Sequence, residues 1–138
     1  MVLVLIALAS GLAALALRDG REARLDREAV RLAALLEAGR AESRASGVMV
    51  RFELASPGSN ETADKAASFR FAGLLPGTLS ANRWLDADTQ AEIVGARALV
   101  LGPEPLIGAQ AIVLRLDGQQ RRVATDGLSA FAPQPVAP

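Results

Sequence analysis

The sequence has no cysteine, histidine or tyrosine, and its 15 basic and 15 acidic residues give a formal net charge of zero. Without cysteine there is no disulfide, thiolate nucleophile or zinc–sulfur site, a condition that suits cytoplasm and periplasm alike. Without histidine the commonest general base and transition-metal ligand are also missing. A balanced charge offers no broad field for gathering nucleic acid or anionic lipid. Enzymatic readings lose most of their usual parts, and no cofactor is expected. At 138 residues, the chain has room for one modest domain and a terminal extension.

What the chain does have is an uncharged beginning, since Met1 to Leu17 contains no ionisable side chain. As a helix this segment would measure roughly 25 Å, slightly short of a ~30 Å hydrocarbon core. Its apolar residues Leu3, Leu5, Ile6, Leu8, Leu12, Leu15 and Leu17 would meet lipid or neighbouring helices. The interspersed Ala7, Ala9, Ser10, Gly11, Ala13 and Ala14 would let such helices approach closely. A cleaved signal is disfavoured because no Lys or Arg precedes the run. A soluble core helix is disfavoured because a small body would have to cover every face. The segment is therefore expected to lie in a membrane or a filament core. Arg18, Arg21 and Arg24 flank only its far side, so these charges leave its orientation open.

From Arg18 the chain is densely charged but still helix-patterned, with Asp19-Gly20 as a point where the helix is expected to loosen. Leu25, Ala29, Leu32, Leu36, Gly39 and Ser43 recur at alternating spacings of four and three, which predicts one narrow packing seam. Arg18 with Glu22, Arg24 with Glu28, and Glu28 with Arg31 read as ion pairs on a solvated face. Gly47 marks the stop. The expected organisation is a membrane or filament-core segment over 1–17, an amphipathic continuation over 18–46, an antiparallel β domain over 47–131 and a flexible tail over 132–138. The fold class is α+β, a long N-terminal helix followed by a β-sandwich-like domain.

Val48 to Leu54 alternates, placing Val48, Val50, Phe52 and Leu54 on one face of a half-buried strand. After a polar loop, Ser68 to Leu75 reads as the return strand, with Phe69 and Phe71 on one face. The single tryptophan, Trp84, is expected to anchor the core together with Val50, Phe52, Phe69, Phe71 and Val113. Ala91 to Leu101 has room for one or two short strands before the loop at Gly102-Pro103-Glu104-Pro105. Ile112 to Leu116, Asp117-Gly118 and Gln119 to Ala124 form the clearest hairpin, because Asp-Gly suits the positive φ angles of a tight turn.

The candidate sites are few. Asp86, Asp88, Gln90 and Glu92 have the alternation of a calcium loop, but Ala91 stands where glycine is needed and Arg97 where a bidentate glutamate belongs. No metal site is expected. The two prolines of Gly102 to Gly108 remove backbone donors that a phosphate cradle would use. Ser129 has no histidine to activate it. Asn60-Glu61-Thr62 matches a glycosylation acceptor and reads as chance. Arg115, Arg121 and Arg122 form a potential nucleic-acid patch with no interleaved aromatic residue, so nucleic acid is not an expected partner.

Met1-Val2-Leu3-Val4-Leu5-Ile6-Ala7-Leu8 followed by the charged, seam-bearing helix resembles the N-terminal helix of type IV pilins and type II secretion pseudopilins. Arg83-Trp84-Leu85-Asp86, Leu101-Gly102-Pro103-Glu104-Pro105-Leu106-Ile107-Gly108 and Ala124-Thr125-Asp126-Gly127-Leu128 look like the β domain of the H-type minor pseudopilins, the GspH/FimT family. The resemblance covers nearly the whole chain and implies a structural role. It implies a helix held in the bacterial inner membrane before assembly and in the filament core afterwards, with the body in the periplasm. The implied partners are other major and minor pseudopilins near the tip of a short pseudopilus that drives protein export. The implied alternative is a DNA-binding minor type IV pilin in DNA uptake. The family's processing motif, a glycine followed by an aromatic residue and then a glutamate, is absent, and Met1 aligns just beyond it. The expectation is therefore a start site assigned too late, and prepilin peptidase is a partner only if the true N-terminus lies upstream.

Overall fold

In a computed structural model, residues 2–55 and 67–135 are described, with side chains described at 11 and from 20 onward. The order of elements is α1 (Val2–Ser46), β1 (Arg51–Leu54), β2 (Phe69–Ala72), β3 (Gln90–Ile93), β4 (Ala98–Val100), β5 (Gln110–Leu116), β6 (Gln119–Thr125) and β7 (Ala132–Gln134). All pairings are antiparallel, in a three-stranded sheet β2-β1-β4 and a four-stranded sheet β3-β5-β6-β7. The class is α+β.

α1 is one unbroken helix of 45 residues, on the order of 67 Å long. Asp19-Gly20 does not interrupt it, because a single glycine costs only about 1 kcal/mol in a helix interior. Its end is built by Gly47, whose φ of 72° lets its N–H reach back to the Ser43 carbonyl at 2.9 Å. The Ser43 hydroxyl donates to the Val48 carbonyl at 2.6 Å, turning the chain towards β1.

The seam residues Leu25, Ala29, Leu32, Leu36, Gly39 and Ser43 are all buried. Helix α1 packs along this line against β5, β6 and β7. Gly39 sits where Leu101 and Phe71 press closest, and a Cβ there would lie 2.8 Å from Leu101 Cδ1. A larger residue at that point would have to displace the Leu101 and Phe71 side chains.

Strand alternation then fills the core from both sheets. Val50, Phe52, Phe69, Leu99 and Leu101 come from β1, β2, β4 and their flanks, while Ile93, Ile112, Leu114, Leu116 and Val123 come from β3, β5 and β6. Phe52 meets Phe69 at 5.2 Å and Phe71 at 5.3 Å between ring centroids, and Phe69 meets Trp84 at 4.7 Å. Phe71 and Trp84 are only half-buried and pack against the rim of this cluster. The hairpin β5–β6 turns through Asp117 (φ 49°) and Gly118 (φ 79°), the positive angles that Asp-Gly favours.

Several expectations need correction. Val48 is 49 % exposed and precedes β1, because the Ser43 and Ser46 side chains bond its backbone into the helix cap. Val113 is half-buried and outside the core: it registers with Glu92 and Arg122, while its neighbours Ile112 and Leu114 point inward. The stretch 91–101 carries two short strands, within the expectation, and they join different sheets, β3 beside β5 and β4 beside β1. Ala132–Gln134 is a strand on the edge of β6 rather than part of a tail, with Pro133 tolerated because an edge strand need not donate on its outer side. Asn60-Glu61-Thr62 lies outside the described residues.

Candidate assembly surface

The features that bear on function are the two buried charges of α1 and the loops they hold. Arg40 lies beside the seam, directly after Gly39, and is 3 % exposed. Its guanidinium donates to three loop carbonyls: Pro105 O at 3.0 Å and Gly127 O at 3.1 Å from Nη2, and Ser129 O at 3.1 Å from Nη1. Glu37 lies 3.5 Å from Nη1 and accepts the Phe131 N–H at 2.9 Å. A planar five-donor fork is the side chain suited to gather carbonyls from separate segments. One helical turn thus binds the loop after β4 and the loop after β6.

These loops also touch directly. Gly127 has φ 95°, and a Cβ there would lie 2.8 Å from the Gly108 backbone. Gly127→Ala is accordingly expected to destabilise the protein by about 2 kcal/mol or more, through both positive φ and loop separation. A denaturant titration of the variant beside the wild type checks this.

Asp126 Oδ1 accepts from Leu128 N at 2.9 Å and Ser129 N at 2.7 Å. The Ser129 and Leu128 backbone N–H groups, in that order, hold the Asp126 carboxyl below its ordinary pKa. Because the folded-state pKa is depressed, its stabilising contribution is full above the unfolded value of about 4 and is lost as pH falls through the lower folded value. Asp126→Asn, which keeps an acceptor oxygen but not the charge, should be less stable than the wild type at neutral pH and should flatten the acid limb, so that the two converge as pH falls below about 4. Unfolding midpoints at stepped pH values test this.

At the other end of the packed helix, Glu28 is 2 % exposed. Its Oε1 accepts from Arg31 Nη1 at 2.7 Å and its Oε2 from Leu85 N at 2.6 Å, while Arg31 Nη2 reaches Arg83 O at 3.0 Å. This corrects the reading of Glu28 as one member of a solvated face. Arg24 pairs instead with Asp86, at 3.6 Å. Glu28, Arg24 and Arg27 of the helix, with Leu85, Asp86, Ala87 and Thr89 of the following loop and Leu116 of β5, line an open groove of about 530 Å³.

The three arginines of the potential nucleic-acid patch do not form one surface. Register puts Arg121 opposite Leu114 on the helix-facing side of β6, where it pairs with Asp26. Arg115 and Arg122 lie on the opposite face, and Arg115 pairs with Glu92 at 3.0 Å. A two-residue side-chain period separates adjacent arginines by construction.

Asp86 and Asp88 form a turn: Asp86 Oδ1 accepts the Asp88 N–H at 3.0 Å and its carbonyl accepts the Thr89 N–H. No acidic cluster able to hold a metal occurs among the described residues. The Ser129 hydroxyl lies 3.4 Å from Asp126 Oδ2, and its carbonyl is used by Arg40 and Thr125. The side chains of Leu3, Leu5, Ile6, Leu8, Leu12, Leu15, Leu17 and Arg18 lie outside the described set, and the expected pairing of Arg18 with Glu22 therefore does too. Gly11, within that segment, is exposed. Among the described residues, no helix is long and apolar enough to cross a membrane.

Arg40 and Glu37 were not singled out from the sequence, although a signal exists. Arg40 directly follows Gly39 of the seam, close enough to the packed face that its charge must find partners, and the turn-rich segments 102–108 and 126–129 offer the carbonyls. Comparison with protein-family models, curated proteins and solved structures finds no match to this chain.

Proposed function

We propose that this chain is a structural minor pseudopilin, of the H type, in the pseudopilus of a type II secretion system. The observation that carries the reading is the continuous helix Val2–Ser46. Its second half is the packing spine of a small antiparallel body, and the first described contact from helix to body is Arg21 with Asp117, at 3.6 Å. Nineteen helical residues, 2–20, precede that contact, roughly 28 Å of helix. Up to Leu17 their sequence is uncharged, apolar and rich in small residues, which suits side-by-side packing with other helices.

In this reading the first half of α1 resides in the bacterial inner membrane before assembly and in the filament core afterwards. The body lies in the periplasm, with its two sheets facing one another as a sandwich-like layer against the helix. Other pseudopilins are its partners, and the protein is not an enzyme. The loops clamped by Arg40 correspond to the segments on which the resemblance to H-type pseudopilins rests. Their role here is to fix the body's shape for contact with neighbours.

The test is a clean deletion in the strain that carries the protein, followed by assay of secreted proteins in the medium. Export should stop and return with a plasmid copy. Undiminished export in a strain without a redundant homologue ends the proposal. For the DNA-uptake alternative, a mobility-shift assay should show salt-sensitive binding lost when Arg115, Arg121 and Arg122 are replaced. The division of those arginines between two sheet faces favours the export reading.

A further inference from the structure

Strands β4 and β5 follow one another in the chain but belong to different sheets. On its inner side β4 is paired with β1, and the Leu101 N–H extends that pairing by donating to Val50 O at 2.9 Å. Backbone groups alternate in direction along a strand, so the N–H and C=O of Val100 point away from β1. That side is the edge of the three-stranded sheet, where such groups ordinarily face water or another chain.

Here both groups are taken by one side chain. Gln110, the first residue of β5, accepts the Val100 N–H with Oε1 at 2.7 Å and donates from Nε2 to Val100 O at 2.8 Å. Nε2 also reaches Ile107 O at 3.3 Å. A primary amide carries a donor and an acceptor side by side, as the backbone of a neighbouring strand does. Its orientation is fixed by its partners, because an N–H stands opposite Oε1 and two carbonyls stand opposite Nε2. The backbone of Gln110 meanwhile lies opposite Thr125 in β6, inside the four-stranded sheet.

We infer that Gln110 is a latch whose side-chain amide stands in for the missing strand beside β4, splicing the two sheets together and closing the loop 101–109 at its base. From one position it holds the chain where β4 ends and again at Ile107, while Arg40 holds the middle of the same loop at Pro105. The amide also occupies the backbone groups of Val100 that an incoming strand would need, which removes them from pairing with another chain. Glutamate has the same shape but no donor when ionised, and asparagine is one methylene shorter. Without the amide this edge opens by itself, ahead of the core. The latch does not rest on the pseudopilin reading, which the deletion strain tests separately.

Hydrogen exchange of the full-length protein in detergent micelles, followed amide by amide by NMR, tests the latch. In Gln110→Ala, protection of the Val100 amide should fall tenfold or more beyond any change at Leu101, which bonds to β1, and at Ile112 in the centre of β5. Gln110→Glu at neutral pH should lose Val100 protection to a similar degree, because a carboxylate would face the carbonyls of Val100 and Ile107. This second variant separates hydrogen bonding from bulk, since a side chain acting by packing alone would be preserved in glutamate. Unchanged Val100 exchange in Gln110→Ala, full protection in Gln110→Glu, or losses at Leu101 and Ile112 as large as at Val100 each overturn the inference.

Discussion

Arg40→Ala is expected to lower the free energy of unfolding by about 3–5 kcal/mol, the range for removing one partner from a buried charged network. The guanidinium is 3 % exposed and serves Pro105 O, Gly127 O and Ser129 O. Its loss would leave those carbonyls without their donor, at a cost of about 1–3 kcal/mol for each that water does not reach. Glu37 would also lose its cation while still held by the Phe131 N–H. Arg40→Lys should recover only part of the loss, because one ammonium on a flexible stem lacks the planar fork that reaches several carbonyls at once. Urea unfolding gives the magnitude. Hydrogen exchange gives the location: the amides of 104–108 and 126–131 should lose protection before those of β5 and β6. Unchanged stability and exchange in Arg40→Ala would show that the clamp is not a source of stability.

Phe52→Ala should be comparably severe, at about 3–5 kcal/mol for a fully buried aromatic residue. Phe52 is 0 % exposed and its ring lies near both Phe69 and Phe71, so truncation removes contacts to β2 and leaves a void in the core. The surrounding rings cannot easily fill that void, because Phe69 is itself buried and packed on Trp84. Val113→Ala is the internal contrast, expected to cost about 1 kcal/mol or less because Val113 is half-buried and lies outside the core cluster. Thermal or denaturant unfolding of the two variants decides the ordering, and equal losses would contradict this assignment of faces.

The parts legible in the sequence were those fixed by local periodicity. Leu25, Ala29, Leu32, Leu36, Gly39 and Ser43 lie on one face of any helix formed there, so their spacing alone located the packing seam. The Asp117-Gly118 hairpin was legible for a similar reason, since few residue pairs accept two successive positive φ angles. Alternation found the inward faces of β1 and β2, but two residues were misplaced, one before β1 and one within β5. Val48 belongs to the helix cap, and Val113 lies on the outward face of a strand whose apolar run masks which face is inside.

The sequence by itself determined that a long helix precedes an antiparallel body, which helix face packs, and that histidine and thiol chemistry are excluded. Tertiary structure decided the rest. It placed β3 and β4 in different sheets, added β7 to the edge of β6, and divided the three arginines between opposite faces. It also turned Glu28 and Arg40 from helix charges into buried anchors. Periodicity records only which residues share a face, whereas these outcomes depend on which distant backbone groups come within hydrogen-bond reach. The partners of Arg40 lie 65 to 89 residues away, where no local pattern registers them.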